Sequence, residues 1–326
     1  MRDFTVLLLP GAYASSVAVT LDILRTAAAV APQVGVPKPR WRTLAVGANP
    51  VRLGGGLSLE AEAMPRAIRA DGSTWVIPGL GLETPRQARE RLMQEDAQQA
   101  ARVLARHAAR GGTVAASCSA VFLLQAAGLL RSRRVTTSWW LAAGLRELEP
   151  DCTVDANRMV CVDGPVITAG AAFAQCDLML HLLRARFGPA LAKAVSRVLL
   201  LDGREAQAPF VVPEMLADGD ELVARIVDRV QSAMPAPPAV SALAQEFGMS
   251  ERSLSRHVRA KTGQSTTALV QSVRLNRARM LLENSRMSVE QVAEQVGYGD
   301  ATALWRLMRR VAGVTPRQLR GGQAGA

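Results

Sequence analysis

The stretch that decides the architecture runs V-S-A-L-A-Q-E-F-G-M-S-E-R-S-L-S-R-H-V-R-A-K-T-G over residues 240–263. It is written again as V-E-Q-V-A-E-Q-V-G-Y-G-D-A-T-A-L-W-R-L-M-R-R-V-A-G over residues 289–313. In the first copy Val240, Leu243, Ala244 and Phe247 fall at i, i+3, i+4 and i+7, one apolar face of a short helix. Gly248-Met249-Ser250 then supplies a tight turn and an N-cap for a second helix. That helix buries Leu254 and Val258 and turns Arg252, Ser255, Arg256 and Arg259 outward. An offset of 49 carries the first face onto Val289, Val292, Ala293 and Val296, and the turn onto Gly297-Tyr298. One inserted residue makes the offset 50, so that Leu304 and Met308 repeat the buried pair, Arg306 and Arg309 match Arg256 and Arg259, and Gly313 matches Gly263.

A helix-turn-helix lays its second helix in the DNA major groove, where a helix fits and base edges are distinguishable. Two copies address two adjacent groove segments. The apolar-periodic stretch between them, 268–283, is expected to be a connecting helix of about 24 Å at about 1.5 Å per residue. From residue 236 onward there are 13 Lys+Arg against 6 Asp+Glu, a balance suited to a phosphate-rich partner. A plain helical bundle with a basic solvated face competes well with any single copy. Two copies in one register, with arginine at the same place in each, tell against it.

The strings A-Q-E-F-G-M-S-E-R-S-L-S-R-H-V-R-A-K-T-G, V-R-L-N-R-A-R-M-L-L-E, V-A-E-Q-V-G-Y-G-D and G-V-T-P-R-Q-L-R resemble the AraC/XylS-type DNA-binding domain over about a hundred residues. The resemblance implies an all-α domain with a leading helix from Asp220 to Met234. It assigns groove contacts to Arg252, Ser255 and Arg256 in the first reader and to Thr302, Trp305 and Arg306 in the second, with Arg259 and Arg309 beside them. Promoter DNA and RNA polymerase are the implied partners. Two departures stand out: aliphatic Leu304 and Met308 replace the aromatic residues usual there, and Ala301 and Ala303 offer no hydrogen bonds. The second reader is therefore expected to make fewer base contacts and more phosphate contacts.

The remaining chain is long enough for about one further domain of its own among 326 residues, and 49% hydrophobic residues supply real cores. The longest nearly apolar run, 114–130, contains Ser, Cys and Gln and reads as a buried strand plus helix rather than a membrane span. The first residues offer too short an apolar run for a signal peptide. Cys118, Cys152, Cys161 and Cys176 show neither metal spacing nor a disulfide framework. No phosphate loop or metal cluster is visible either, so no metal or cofactor is expected and a cytoplasmic location is. Net charge of +11 adds mild support for a nucleic-acid partner.

Strand-length apolar runs at 4–9, 41–46, 75–77, 113–116, 160–162 and 166–168 alternate with helical stretches, the first with Val17, Leu21 and Leu24 on one side and the others at about 83–110, 120–127, 177–187 and 191–201. That alternation predicts an α/β domain, a mostly parallel sheet with helices on both faces and ligands at the carboxyl ends of strands. Those ends fall at Gly11, Gly79, Cys118 and Gly170. Cys118 stands on a strand-to-helix turn, the geometry of a nucleophile elbow, where a helix N-terminus lowers thiol pKa. A nucleophile also needs a base. Of the three histidines, His257 lies in the DNA-binding half, and His107 and His181 lie within helices as packed or surface imidazoles.

V-A-A-S-C-S-A-V-F-L-L-Q-A-A-G-L-L, V-T-T-S-W-W and I-T-A-G-A-A-F-A-Q-C-D-L-M-L-H-L-L resemble the class I glutamine amidotransferase-like, or intracellular-protease-like, fold, in the version fused to AraC-type domains. The resemblance implies a flavodoxin-like domain that senses a small metabolite and dimerises. It places Cys118 at the elbow and Asp22 at the acidic position beside it, with Ser138 standing where the enzymes have histidine. An effector pocket is expected at Asp22, Gly79, Cys118, Ser119, Ser138, Trp139 and Gly170. Asp22, with Trp139 or Trp140 to stack on a cation, points to an amine or amino-acid-like effector. The expected organisation is a sensor domain over 1–206, a linker over 207–219 and a DNA-binding domain over 220–326, working as a homodimeric regulator without a membrane. The alternatives are a Cys-dependent amidohydrolase or amidotransferase that its DNA-binding domain localises, and a scaffold whose N-terminal domain only dimerises.

Overall fold

A computed structural model describes residues 2–65, 72–201, 220–285 and 287–312. The expected linker and Gly313, with the segment after it, lie outside the described residues. The chain divides into two compact units, Met1–Arg204 and Glu205–Ala326.

The first unit is built on seven strands: β1 (Phe4–Leu8), β2 (Trp41–Ala45), β5 (Glu62–Ala63), β6 (Thr74–Ile77), β7 (Val114–Ser117), β10 (Val160–Asp163) and β11 (Val166–Ala169). Their order is β10-β11-β7-β6-β1-β2-β5, parallel throughout except for the β10–β11 hairpin at one edge. Central strands are buried on both faces, which explains why 4–8 and 114–117 read as unbroken apolar or small-residue runs. Two small ribbons not foreseen from sequence flank the sheet: β3 (Val51–Arg52) with β4 (Ser58–Leu59), and β8 (Arg134–Val135) with β9 (Thr153–Val154).

Right-handed crossovers assign the faces. From β1 to β2 the chain moves one way along the sheet, and from β6 to β7 the other way. Helix α1 (Ala14–Val30) therefore lies on one face, and α2 (Pro85–Leu92) and α3 (Glu95–Ala109) on the opposite one. The last helices, α6 (Ala174–Phe187) and α7 (Pro189–Val198), pack on α1, whereas α4 (Val121–Ala126) packs on α2 and α3; α5 (Ala142–Leu148) follows it in the chain. The expected single helix over 83–110 is thus two. Thr84 opens α2 with a capping box, and the chain breaks at Met93-Gln94 before Glu95 and Asp96 start the next helix. Ala14–Val34 is the one helical stretch among the described residues long and apolar enough to cross a membrane; here it buries Val17, Ile23, Leu24 and Ala27 against the sheet and α6–α7.

The second unit is helical: α8 (Glu221–Ser232), α9 (Val240–Glu246), α10 (Glu251–Thr262), α11 (Thr266–Asn284), α12 (Val289–Gln295) and α13 (Ala301–Ala312). The repeat survives in atomic detail. Met249 N donates to Ala244 O and Tyr298 N to Ala293 O, each at 2.8 Å, and Gly248 N and Gly297 N donate to Gln245 O and Glu294 O, each at 3.0 Å. Both glycines are left-handed, φ 66° and 78°, where an L side chain is strained. The caps repeat too: Ser250 Oγ accepts from Ser253 N, and Asp300 Oδ1, 50 positions on, accepts from Ala303 N. The connecting helix α11 spans 19 residues, longer at both ends than the periodic run predicted.

The two copies differ in surroundings. Nothing lies within 4 Å of a Cβ built on Gly248, whereas one built on Gly297 meets Pro235 O at 2.2 Å and Pro237 Cδ at 2.9 Å. The proline-rich segment 234–238 is wedged against the second turn. From α11, Arg274 Nε donates to Val296 O at 2.8 Å and Nη2 to Gly297 O, while the guanidinium lies 3.7 Å from the Tyr298 ring centroid. The cation thus meets the negative end of α12.

Candidate functional site

In the first reader, α10, Leu254 and Val258 are fully buried and Thr262 nearly so, which fixes the inward face. Helical periodicity then gathers Arg252, Arg256 and Arg259 into one stripe on the far side, and all three are exposed. Ser255 is half-buried, and its hydroxyl is approached at 3.4 Å by Thr266 Oγ1 from the start of α11. In α13, Leu304 and Met308 are buried as expected, with Leu307 beside them. Thr302, Trp305, Arg306 and Arg309 are exposed. The Arg309 guanidinium sits 5.1 Å from the Trp305 ring centroid, so the aromatic holds a cation on the outer face.

In the α/β unit, Cys118 is the elbow residue at the carboxyl end of β7, with φ 54°, a strained value for a residue bearing Cβ. Its thiol is fully buried, 3.0 Å from Ser138 Oγ. Thr137 Oγ1 donates to Cys118 O at 2.8 Å, pinning the turn. Gly79 closes on it: a Cβ there stands 3.0 Å from Cys118 Cβ and 3.6 Å from Tyr13 Cδ2. Sequence reasoning missed Tyr13, whose N–H donates to Gly79 O at 2.8 Å. Its phenol pKa is raised by burial first, then by Cys118 and Glu83. The only signal for it was its place just after Pro10-Gly11 at the end of the first strand.

Ser119 braces the loop after β6, its Oγ accepting from Leu80 N at 3.2 Å and Leu82 N at 3.3 Å. Trp139 is buried and stacked edge-on with Trp140, centroids 5.1 Å apart. Gly170 is buried at the end of β11, its N–H donating to Met159 O. Gly79 and Ser138 therefore both meet Cys118, and Ser119 braces the loop that carries Gly79.

Asp22 does not belong there. It is exposed, nine residues along α1 from Tyr13, which is about half a revolution around the helix and about 13 Å along its axis. At the start of that helix stands Ser16, whose Oγ donates to Ala172 O at 3.1 Å. The carboxylate invoked for an amine is on the solvent side, and that argument falls with it.

The thiol expectation also reverses. The chain leaves Cys118 through a 3-10 turn, Cys118–Ala120, before α4, and burial pushes the Cys118 thiol up, against smaller lowering effects from Ser138 and Ser119. Ser138 has no imidazole's capacity to take the proton. His107 stacks on Trp75 with centroids 4.6 Å apart, its Nε2 3.2 Å from Thr113 O, at the opposite end of β7 from Cys118. His181 is half-buried on α6, and burial, then Arg184, lowers its pKa.

The DJ-1/PfpI family model matches residues 6–185, and a Helix-turn-helix domain model matches residues 243–322. The chain is 26% identical over 320 residues to the HTH-type transcriptional regulator CdhR of Pseudomonas aeruginosa, covering 97% of this chain and 91% of that regulator. It is 29% identical over 205 residues to the HTH-type transcriptional regulator GlxA of Rhizobium meliloti, covering 62% and 63%. A crystal structure of an AraC family transcriptional regulator from Pseudomonas putida shares the fold, with 24% identity, a TM-score of 0.51 and coverage of 61% of this chain and all of that one. By its sheet, its elbow and its paired turns, the chain belongs to the DJ-1/PfpI family and carries an AraC-type helix-turn-helix domain at its C-terminal end.

Proposed function

We propose that this chain is a sequence-specific transcriptional regulator whose second unit reads promoter DNA in the major groove and whose first unit senses a small metabolite and pairs subunits. The carrying observation is the repeated turn with an exposed arginine at the same place in each copy, Arg256 and Arg306. The HTH-type transcriptional regulator CdhR aligns with this chain through both units, over 97% of this chain's length, which supports the reading. RNA polymerase is the further partner of a promoter-bound regulator, a homodimer the working form and the cytoplasm the location. The effector site is the elbow, Tyr13, Gly79, Cys118 and Ser138, with Ser119, Trp139 and Gly170 around it. An effector acts there only by favouring one of two arrangements with different DNA affinity.

The test is to sequence the DNA fragments that the purified protein retains from a random pool, then measure binding to the selected site. Affinity is expected to fall steeply with salt. Arg256→Ala is expected to lose about 1–3 kcal/mol and to relax specificity at one base position. An Arg256→Ala protein that binds the selected site unchanged refutes the register assigned to α10. The rival reading, a Cys-dependent hydrolase, is favoured by the strained φ of Cys118 and opposed by Ser138 and by the raised thiol pKa.

A further inference from the structure

We propose that Asp220 is a positioning residue for DNA binding, one carboxylate that caps α8 and at the same time grips the back of the first reader helix. This rests on the DNA-reading function proposed above. Asp220 Oδ1 accepts from Val223 N at 3.1 Å, the N-cap bond of α8. Both of its oxygens also lie within hydrogen-bond distance of His257 Nε2, at 2.9 and 3.0 Å, and Oδ2 lies 3.6 Å from Lys261 Nζ. A carboxylate only accepts, so Nε2 carries the proton in this pair. The carboxylate is largely buried, its side chain 13% exposed. Burial raises its pKa, but the bonds from His257 and the Val223 amide and the charges of His257 and Lys261 outweigh that and hold it low.

The placement of the two partners on α10 decides what the cluster does. His257 and Lys261 are four apart and share a stripe. By the helical repeat they stand close to half a turn around the axis from Arg252, whereas Arg256 and Arg259 fall on Arg252's own side. The carboxylate therefore leaves the arginine stripe uncompensated and holds the side facing away from it. Among the described residues, the charged groups acting on the Asp220 carboxylate are His257 and Lys261 of α10, beside the Val223 amide of α8 itself.

Asp220→Asn separates the two roles, because Asn is as good an N-cap as Asp but has no charge for His257 and Lys261. On the selected DNA fragment, full-length Asp220→Asn is expected to bind about two- to fivefold more weakly than wild type, the ratio that a partly exposed ion pair supports. His257→Gln is expected to show a loss of the same size, and the double variant to bind no more weakly than Asp220→Asn alone, because both substitutions break one contact. A capping role alone leaves Asp220→Asn at wild-type affinity, since Asn caps as well as Asp. Wild-type affinity in Asp220→Asn, or losses that simply add in the double variant, overturn the assignment while leaving the DNA-reading function intact. A wild-type chain that enriches no DNA sequence overturns both.

Discussion

The two turn glycines form a matched pair in which one variable changes at a time. Gly248 and Gly297 are both left-handed, so alanine at either carries the same backbone strain, roughly 1–2 kcal/mol. The lower entropy of the unfolded chain returns about 0.4–1 kcal/mol of that. Gly248→Ala adds a methyl to open space and is expected to cost about 1 kcal/mol in all. Gly297→Ala puts its methyl 2.2 Å from Pro235 O, well inside contact distance, and a backbone carbonyl cannot rotate out of the way as a flexible side chain can. Overpacking of this kind adds about 1–3 kcal/mol, for a total of roughly 2–4 kcal/mol. In a domain of about a hundred residues that is a melting-temperature loss of about 5 °C for Gly248→Ala and about 10–20 °C for Gly297→Ala. The assay is thermal unfolding of the full chain, with hydrogen exchange of α9–α13 amides reporting the second unit separately from the α/β unit. Equal losses in the two variants refute the reasoning, since the proline segment would then not be wedged on the second turn.

Arg274→Ala removes a fork that satisfies the carbonyls of Val296 and Gly297 and stacks on Tyr298, and is expected to cost about 1.5–3 kcal/mol of second-unit stability by denaturant unfolding. Arg274→Lys, with charge but no fork, should recover only part of it, and a full recovery contradicts the geometric role. Cys118, its thiol pKa raised by burial, stays protonated at neutral pH, so alkylation of the native protein is expected to be slow at pH 7 and to go on rising past the ordinary thiol value of 9.0 instead of levelling off there. Rapid modification at pH 6 would show an activated thiolate and revive the hydrolase reading.

What the sequence made legible follows the range of the interactions. The helix-turn-helix repeat is local: Gly248, Gly297, Ser250 and the arginine stripes are fixed by neighbours within a turn or two, and the periodicity reads them directly. Cys118 was equally readable, since it and Gly79 follow the neighbouring parallel strands β7 and β6, whereas Ser138 reaches it from just past the small strand β8. Asp22 was misplaced because the resemblance alone assigned it, whereas the helical phase counted from Tyr13 carries it to the opposite side of α1. The thiol was misjudged because a helix start favours thiolate, yet the packing of Gly79 and Tyr13 that buries the sulfur comes from 39 and 105 positions earlier in the chain. Asp220 with His257, and Pro235 against Gly297, are likewise long-range meetings that no window of sequence displays.

Helix α8 contains none of the residues assigned to DNA, yet it is fastened to everything that does the reading. At its start Asp220 holds α10; along it, Arg229 clasps Glu246 at the end of α9 with bonds of 2.7 and 2.9 Å; just past its end, Pro235 presses on the turn before α13. A rod anchored at three points transmits torque. On the DNA-reading function proposed above, a roll of α8 about its own axis would carry both α10 and α13 with it, a crossbar setting the pitch between them.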